Sequence, residues 1–111
     1  METLTAADFR KTQLLRDGTW VVAFLADWCP FCRSFRPEFS PLEAGSGFRV
    51  AFGDVTSEES PLWEDFQIDV VPTLVVFREG RPVFRVDGVL GLGVPPGGLE
   101  QARAAARARA K

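Results

Sequence analysis

Apolar residues run unbroken from Trp20 to Leu25, and a second such run, Thr73-Leu74-Val75-Val76-Phe77, follows Val70-Val71-Pro72. An apolar stretch of strand length without alternation marks a strand buried on both faces, so Trp20–Leu25 predicts a central strand of a sheet. Thr73–Phe77 predicts another strand, Glu79-Gly80 turns the chain, and Pro82–Val86 predicts its antiparallel hairpin partner. Phe48–Phe52 predicts a further strand, leading to Asp54 and the polar stretch Thr56–Ser60. Thr5-Ala6-Ala7-Asp8 has the form of a capping box, which predicts a first helix over Ala6–Leu15 that stops before Asp17-Gly18. Pro30 suits the first position of a second helix, kinked at Pro37 and ending near Gly45. A short third helix spans Pro61–Phe66 with Ser60 as its cap. After a Gly- and Pro-rich loop from Gly91 to Gly98, the Ala- and Arg-rich segment Leu99–Ala110 predicts the last helix. Glu2–Thr5 carries only a weak signal for a short initial strand.

The resulting order is helix, strand, helix, strand, helix, strand, strand, helix. That order argues for an α/β fold, a central mixed β-sheet with helices on both faces. A length of 111 residues supports one hydrophobic core and not two, so residues 1–111 are expected to form a single domain. The net charge of -2 gives no bulk attraction to nucleic acid, and the basic stretch from Arg103 to Lys111 reads as a solvated helix face. No apolar run approaches the roughly 20 residues needed to cross a bilayer, so no membrane role is expected. Met1-Glu2-Thr3-Leu4-Thr5 lacks the basic and apolar regions of a signal peptide, and a cytoplasmic monomer is expected. Histidine is absent, which removes the usual general base and the commonest metal ligand together.

Chemistry therefore falls on Cys29 and Cys32, the two cysteines of the chain, spaced Cys-x-x-Cys where a strand gives way to a helix. A structural zinc site needs about four Cys or His ligands and would require a second chain or carboxylates. Burial as two small hydrophobes is another reading. Redox exchange is the favoured one, for a physical reason. Cys29 falls at the cap of the second helix, where unpaired backbone N–H groups and the positive end of the helix dipole face its sulfur. That environment favours a thiolate and makes Cys29 the nucleophile. Cys32, one turn later, is placed to attack the mixed disulfide that Cys29 forms with a substrate.

Ala26-Asp27-Trp28-Cys29-Pro30-Phe31-Cys32 resembles the Trp-Cys-x-x-Cys active site of the thioredoxin family, and the likeness covers nearly the whole chain. Pro37 falls where the family has a helix-kinking proline. Val71-Pro72-Thr73, about forty residues downstream, resembles the loop whose cis proline lies against the active-site sulfurs, and Gly80 and Gly88 match later family glycines. The resemblance implies a thioredoxin fold and a protein-disulfide oxidoreductase, with Pro72 shaping the substrate groove. Trp28, Phe31, Val71 and Gly88, with Pro30 beside them, are expected to form a flat apolar patch around the sulfur. An extended partner peptide would lie on that patch and pair with the Val71 backbone. Protein thiols and disulfides are the implied partners, a disulfide reductase or the thiol pool the electron donor, and no bound organic cofactor or metal is implied. Trp63 reads as core or as cover for its short helix, Asp27 as a solvated loop acid, and Asp54 as a strand-end acid. Glutaredoxin is a poorer match, so glutathione is not the preferred substrate.

The chain departs from typical thioredoxin at three places. Ala23, six residues before Cys29, stands where the family has a buried Asp thought to assist proton transfer at the second cysteine, and Phe52 stands where that Asp has a Lys companion. Removing two buried charges favours stability and is expected to slow resolution by Cys32. Pro30-Phe31 replaces the usual Gly-Pro, which leaves Phe31 an N–H free to point at the Cys29 thiolate. Such a donor stabilises the reduced form and predicts a potential nearer the roughly -200 to -230 mV of glutaredoxins than the roughly -270 mV of thioredoxin. A rival reading from a different class keeps the fold as a binding or assembly module in which the thiols are incidental. A metal- or iron-sulfur-bridged dimer through Cys29 is a further one.

Overall fold

The structure, a computed structural model, describes residues 1–43 and 47–108. In chain order its elements begin with β1 (Glu2–Leu4), a 3-10 turn (Ala6–Asp8), β2 (Phe9–Arg10), β3 (Gln13–Leu14) and β4 (Thr19–Leu25). Helix α1 (Pro30–Phe39) follows, tightens into a 3-10 turn (Ser40–Glu43), and leads to β5 (Arg49–Asp54) and α2 (Leu62–Asp65). The hairpin β6 (Thr73–Arg78) and β7 (Arg81–Val86) and helix α3 (Gly98–Arg107) complete it.

The unbroken apolar run becomes the middle of a five-stranded sheet of order β1-β5-β4-β6-β7. β4 is parallel to β5 and antiparallel to β6, and every residue of it from Trp20 to Leu25 is buried. Alternation across the pleat sorts its side chains. Trp20, Val22 and Phe24 share one face with Phe77, where Phe9 and Phe66 join Phe24 and Phe77 in an aromatic cluster with ring centroids 5.0–5.9 Å apart. Val21, Ala23 and Leu25 share the other face with Phe52, on which α1 packs through Phe39 at 5.7 Å. α3 covers β6, β7 and part of β4 on that same face, using the buried Ala102 and Ala106. The result is the expected α/β arrangement, a mixed sheet between two helices on one side and shorter elements on the other.

The weakly signalled first strand exists, and it pairs in parallel with β5 from Glu2↔Ala51 to Leu4↔Gly53. The predicted helix over Ala6–Leu15 does not. The Thr5/Asp8 capping box is formed, but it caps a single 3-10 turn. Lys11 takes a positive φ of 54°, the chain reverses, and β2 pairs with β3 in a small hairpin. Tertiary burial decides against the helix: the hairpin puts Phe9 into the aromatic cluster and Leu14 under the sheet, while Leu15 is left exposed. The hairpin is tied down by Leu14 N–H donating to Gly80 O at 2.9 Å.

Pro37 lies inside α1. The predicted end near Gly45 falls outside the described residues, as does the predicted end of α3 at Ala110. α2 is shorter than expected, and the Ser60 hydroxyl accepts from Leu62 N–H at its start. Glu79 and Gly80 both have positive φ, as the tight turn between β6 and β7 demands. At the far end of β6, Arg78 donates to the carbonyls of Ala105 and Ala108, closing the C-terminus of α3 with a cation. The two rims of the sheet are the three-residue β1 and β7, which carries Arg81, Pro82 and Arg85.

Candidate active site

The end of β4 delivers the chain into Ala26-Asp27-Trp28, and the segment after β5 holds that loop in place. Asp27 N–H donates to Thr56 Oγ1 and Trp28 Nε1–H donates to Thr56 O, each at 2.9 Å. The loop turns so that Cys29 N–H donates to Ala26 O at 3.1 Å, and Cys29 becomes the cap of α1 with Pro30 as the first helical residue. Proline there loses no hydrogen bond, because that N–H has no partner within the helix.

Cys29 Sγ accepts the Cys32 N–H at 3.2 Å and donates to the Val71 carbonyl at 3.6 Å. Both thiols are free and both are buried, Cys32 completely and Cys29 at 5% exposure. The expected extra donor from Phe31 is not the one in place: the amide on Cys29 Sγ is that of Cys32. A Cys32 amide is present whichever two residues separate the cysteines, so Pro30-Phe31 supplies no additional donor, and the expectation of a higher potential loses its basis. Burial, with the hydrogen bond to Cys29 adding to it, pushes the Cys32 thiol up to about 12. The Ala26 backbone and the Arg36 charge oppose that rise.

Ala23 and Phe52 face each other across β4 and β5, and both are buried. The Arg36 guanidinium lies 4.7 Å over the Phe52 ring and pairs with the Asp27 carboxylate at 3.2 Å. Asp27 is the solvated loop acid expected, its side chain 75% exposed, with Arg36 as an ion-pair partner. Asp54 accepts from Thr56 N–H and closes the strand end.

The peptide bond between Val71 and Pro72 is cis. Pro72 is buried, and it is the Val71 carbonyl that touches the Cys29 sulfur. Gly88 backs this loop: a Cβ there would stand 2.5 Å from Pro72 O and 2.9 Å from Val70 O. Thr73 completes the support, its hydroxyl donating to Val70 O and accepting from Gly88 N–H.

The apolar surface around the sulfur is a groove of about 200 Å³ and not a flat patch. Trp28, Cys29, Phe31 and Val71 line it, whereas Pro30 is the exposed start of α1, Pro72 lies behind Val71, and Gly88 supports the loop. Trp63 and Leu90, which the sequence reading did not assign to the site, line it as well. Trp63 stacks on Trp28 with centroids 6.2 Å apart and planes 10° from parallel. A signal for Trp63 exists in the sequence: Leu62, opening α2, and Phe66, four residues on at its C-cap, form one apolar stripe, and Trp63 falls off it. Among the described residues no group of three or more acidic or thiol side chains could hold a metal ion.

The family model described as Thioredoxin matches residues 1–92. The thioredoxin of Rhodospirillum rubrum is 29% identical over 82 residues, covering 73% of this chain and 79% of that protein. The thioredoxin of Alicyclobacillus acidocaldarius is 32% identical over 87 residues, covering 78% of this chain and 82% of that protein. Among solved structures, thioredoxin f from spinach chloroplast superposes with a TM-score of 0.75 at 23% identity, covering 96% of this chain and 93% of that one, a likeness of fold.

Proposed function

The chain belongs to the thioredoxin family and is a thiol-disulfide oxidoreductase, and from that premise we propose that it exchanges disulfides with protein partners through Cys29 and Cys32. The observation that carries this reading is the capped sulfur of Cys29, held between the Cys32 amide and the Val71 carbonyl on the floor of an open groove. In the reducing direction the Cys29 thiolate attacks a partner sulfur, and the partner's second sulfur leaves as a thiolate. Cys32 gives up its proton and attacks Cys29 Sγ, the intramolecular disulfide forms, and the first partner sulfur leaves. Two electrons pass to the partner, and two protons convert its sulfurs to thiols. Val71 N–H donates to no other group among the described residues, which supports backbone pairing with an extended partner beside Pro72 and Gly88.

The same reading takes the protein as a cytoplasmic monomer, without bound cofactor, that draws electrons from a reductase or the thiol pool. No helix among the described residues is long and apolar enough to cross a membrane. The test is equilibration in graded glutathione buffers, with the fraction of Cys29–Cys32 disulfide measured at each ratio. A reversible two-electron transition is expected. Cys32→Ser should trap a mixed disulfide with a protein substrate, visible as an added mass that reductant removes, and Cys29→Ser should trap none. No reversible transition would leave a binding module that uses the groove alone.

A further inference from the structure

The groove over Cys29 is built from more than the Cys-x-x-Cys segment and the cis-proline loop. The indole N–H groups of Trp28 and Trp63 donate to the consecutive carbonyls Thr56 O and Ser57 O, at 2.9 and 3.1 Å. Their polar edges are thereby satisfied, and the stacked rings are held as apolar surface. Leu90 is 86% exposed at the tip of a tight turn closed by hydrogen bonds between Val89 and Gly93. That turn is braced on the site: a Cβ on Gly93 would stand 3.4 Å from Phe31 Cβ. A lone exposed leucine needs no explanation, but Leu90 clusters with the exposed Trp28 and Phe31 around the reacting sulfur, and clustered exposed apolar groups mark a contact surface.

The volume narrows the occupant. A cavity of about 150 Å³ lined by apolar side chains holds a benzene-sized group, so about 200 Å³ admits one large aliphatic or aromatic side chain. Cys29 itself lines the groove, so a group that fills it during exchange lies beside the sulfur being attacked. Asp69 is its charged lining residue, exposed and without a partner among the described residues, and it repels an acidic side chain at the rim.

We propose that Trp63 and Leu90 are specificity-determining residues, selecting partner segments in which a large apolar residue adjoins the reacting cysteine, while Asp69 disfavours segments with an acidic residue there. This rests on the reading that exchange passes through Cys29. The test uses the reduced protein and two synthetic peptides, each closed by one internal disulfide and differing only in the residue beside each cysteine, Leu in one and Glu in the other. Second-order rates of peptide reduction are expected to favour the Leu peptide by about tenfold or more. Leu90→Ser and Trp63→Ala should each bring that ratio towards one, and Asp69→Asn should raise the rate on the Glu peptide specifically. Equal rates on the two peptides, or a ratio unmoved by both Leu90→Ser and Trp63→Ala, would overturn the inference. Hydroxyethyl disulfide, too small to fill the groove, separates the two levels of failure. If it oxidises the protein while the peptides react alike, the specificity inference alone falls; if neither it nor either peptide oxidises the protein, the exchange reading falls and this inference with it.

Discussion

Cys32 has no exposed surface, and its thiol is pushed well above the ordinary 9.0 by burial and by its hydrogen bond to Cys29. A thiol is neutral when protonated, so the native protein retains this proton at pH values where the unfolded chain has released it. The reduced form should therefore have its full stability below about pH 9 and lose it as the pH rises towards 12. The oxidised form has no such proton, and the urea midpoints of the two forms, compared at stepped alkaline pH, should diverge in that direction. The kinetic counterpart concerns Ala23. With Ala opposite Phe52, no buried carboxylate stands in β4 to take the proton from Cys32. Ala23→Asp should accelerate resolution of a mixed disulfide, on the order of 10²-fold if the new group acts as a general base. It should lower stability by several kcal/mol, because Phe52 offers that carboxylate no partner. An unchanged resolution rate removes the argument for a slow second step.

At the level of elements, the site depends on one loop held from behind. Gly88→Ala places a methyl group against the carbonyls of Pro72 and Val70, and backbone atoms cannot rotate aside as a flexible side chain would. A loss of about 1–3 kcal/mol in a urea titration is expected, with slower exchange because the Val71 carbonyl shifts from Cys29. The elements that bring Cys29 and Cys32 together were readable without coordinates, because each rests on local chemistry: an unbroken apolar strand, a cap followed by Pro30, and a hairpin turn at Glu79-Gly80. What was not readable depends on distant partners. The Thr5/Asp8 capping box is real, yet Phe9 gains more from the aromatic cluster than Ala6–Leu15 would from a continued helix, and Lys11 turns back at positive φ. Phe31 N–H is the donor that the sequence suggests, but the amide that reaches the sulfur is that of Cys32, because the helix turn aims it there. Leu90 gave no signal at all, since an apolar residue between Gly88 and Gly91 looks like any loop residue until the turn closes over Phe31.

For the molecule as a whole, the face of the sheet opposite α1 and α3 depends on few side chains. Phe9, Phe24, Phe66 and Phe77 come from a short hairpin, the central strand, the end of α2 and β6, and they join these four pieces into one contact set. Phe24 is fully buried and stands one residue before the end of β4 that leads into the Cys29 loop. Phe24→Ala should cost about 3–5 kcal/mol, a large part of the roughly 5–15 kcal/mol by which domains are stable. A lowered midpoint with an unchanged denaturant slope is the expected result; a change below about 1 kcal/mol would show that the cluster repacks around the gap. The rims of the sheet bear on a different hazard. Aggregation by strand addition starts from a long, flat edge with a free row of amides, and here one edge is three residues long while the other interrupts its row with Pro82 and carries two guanidinium groups. Both edges are blunted in this way, so strand addition at the rims of the sheet is disfavoured even though an apolar groove lies open at its end.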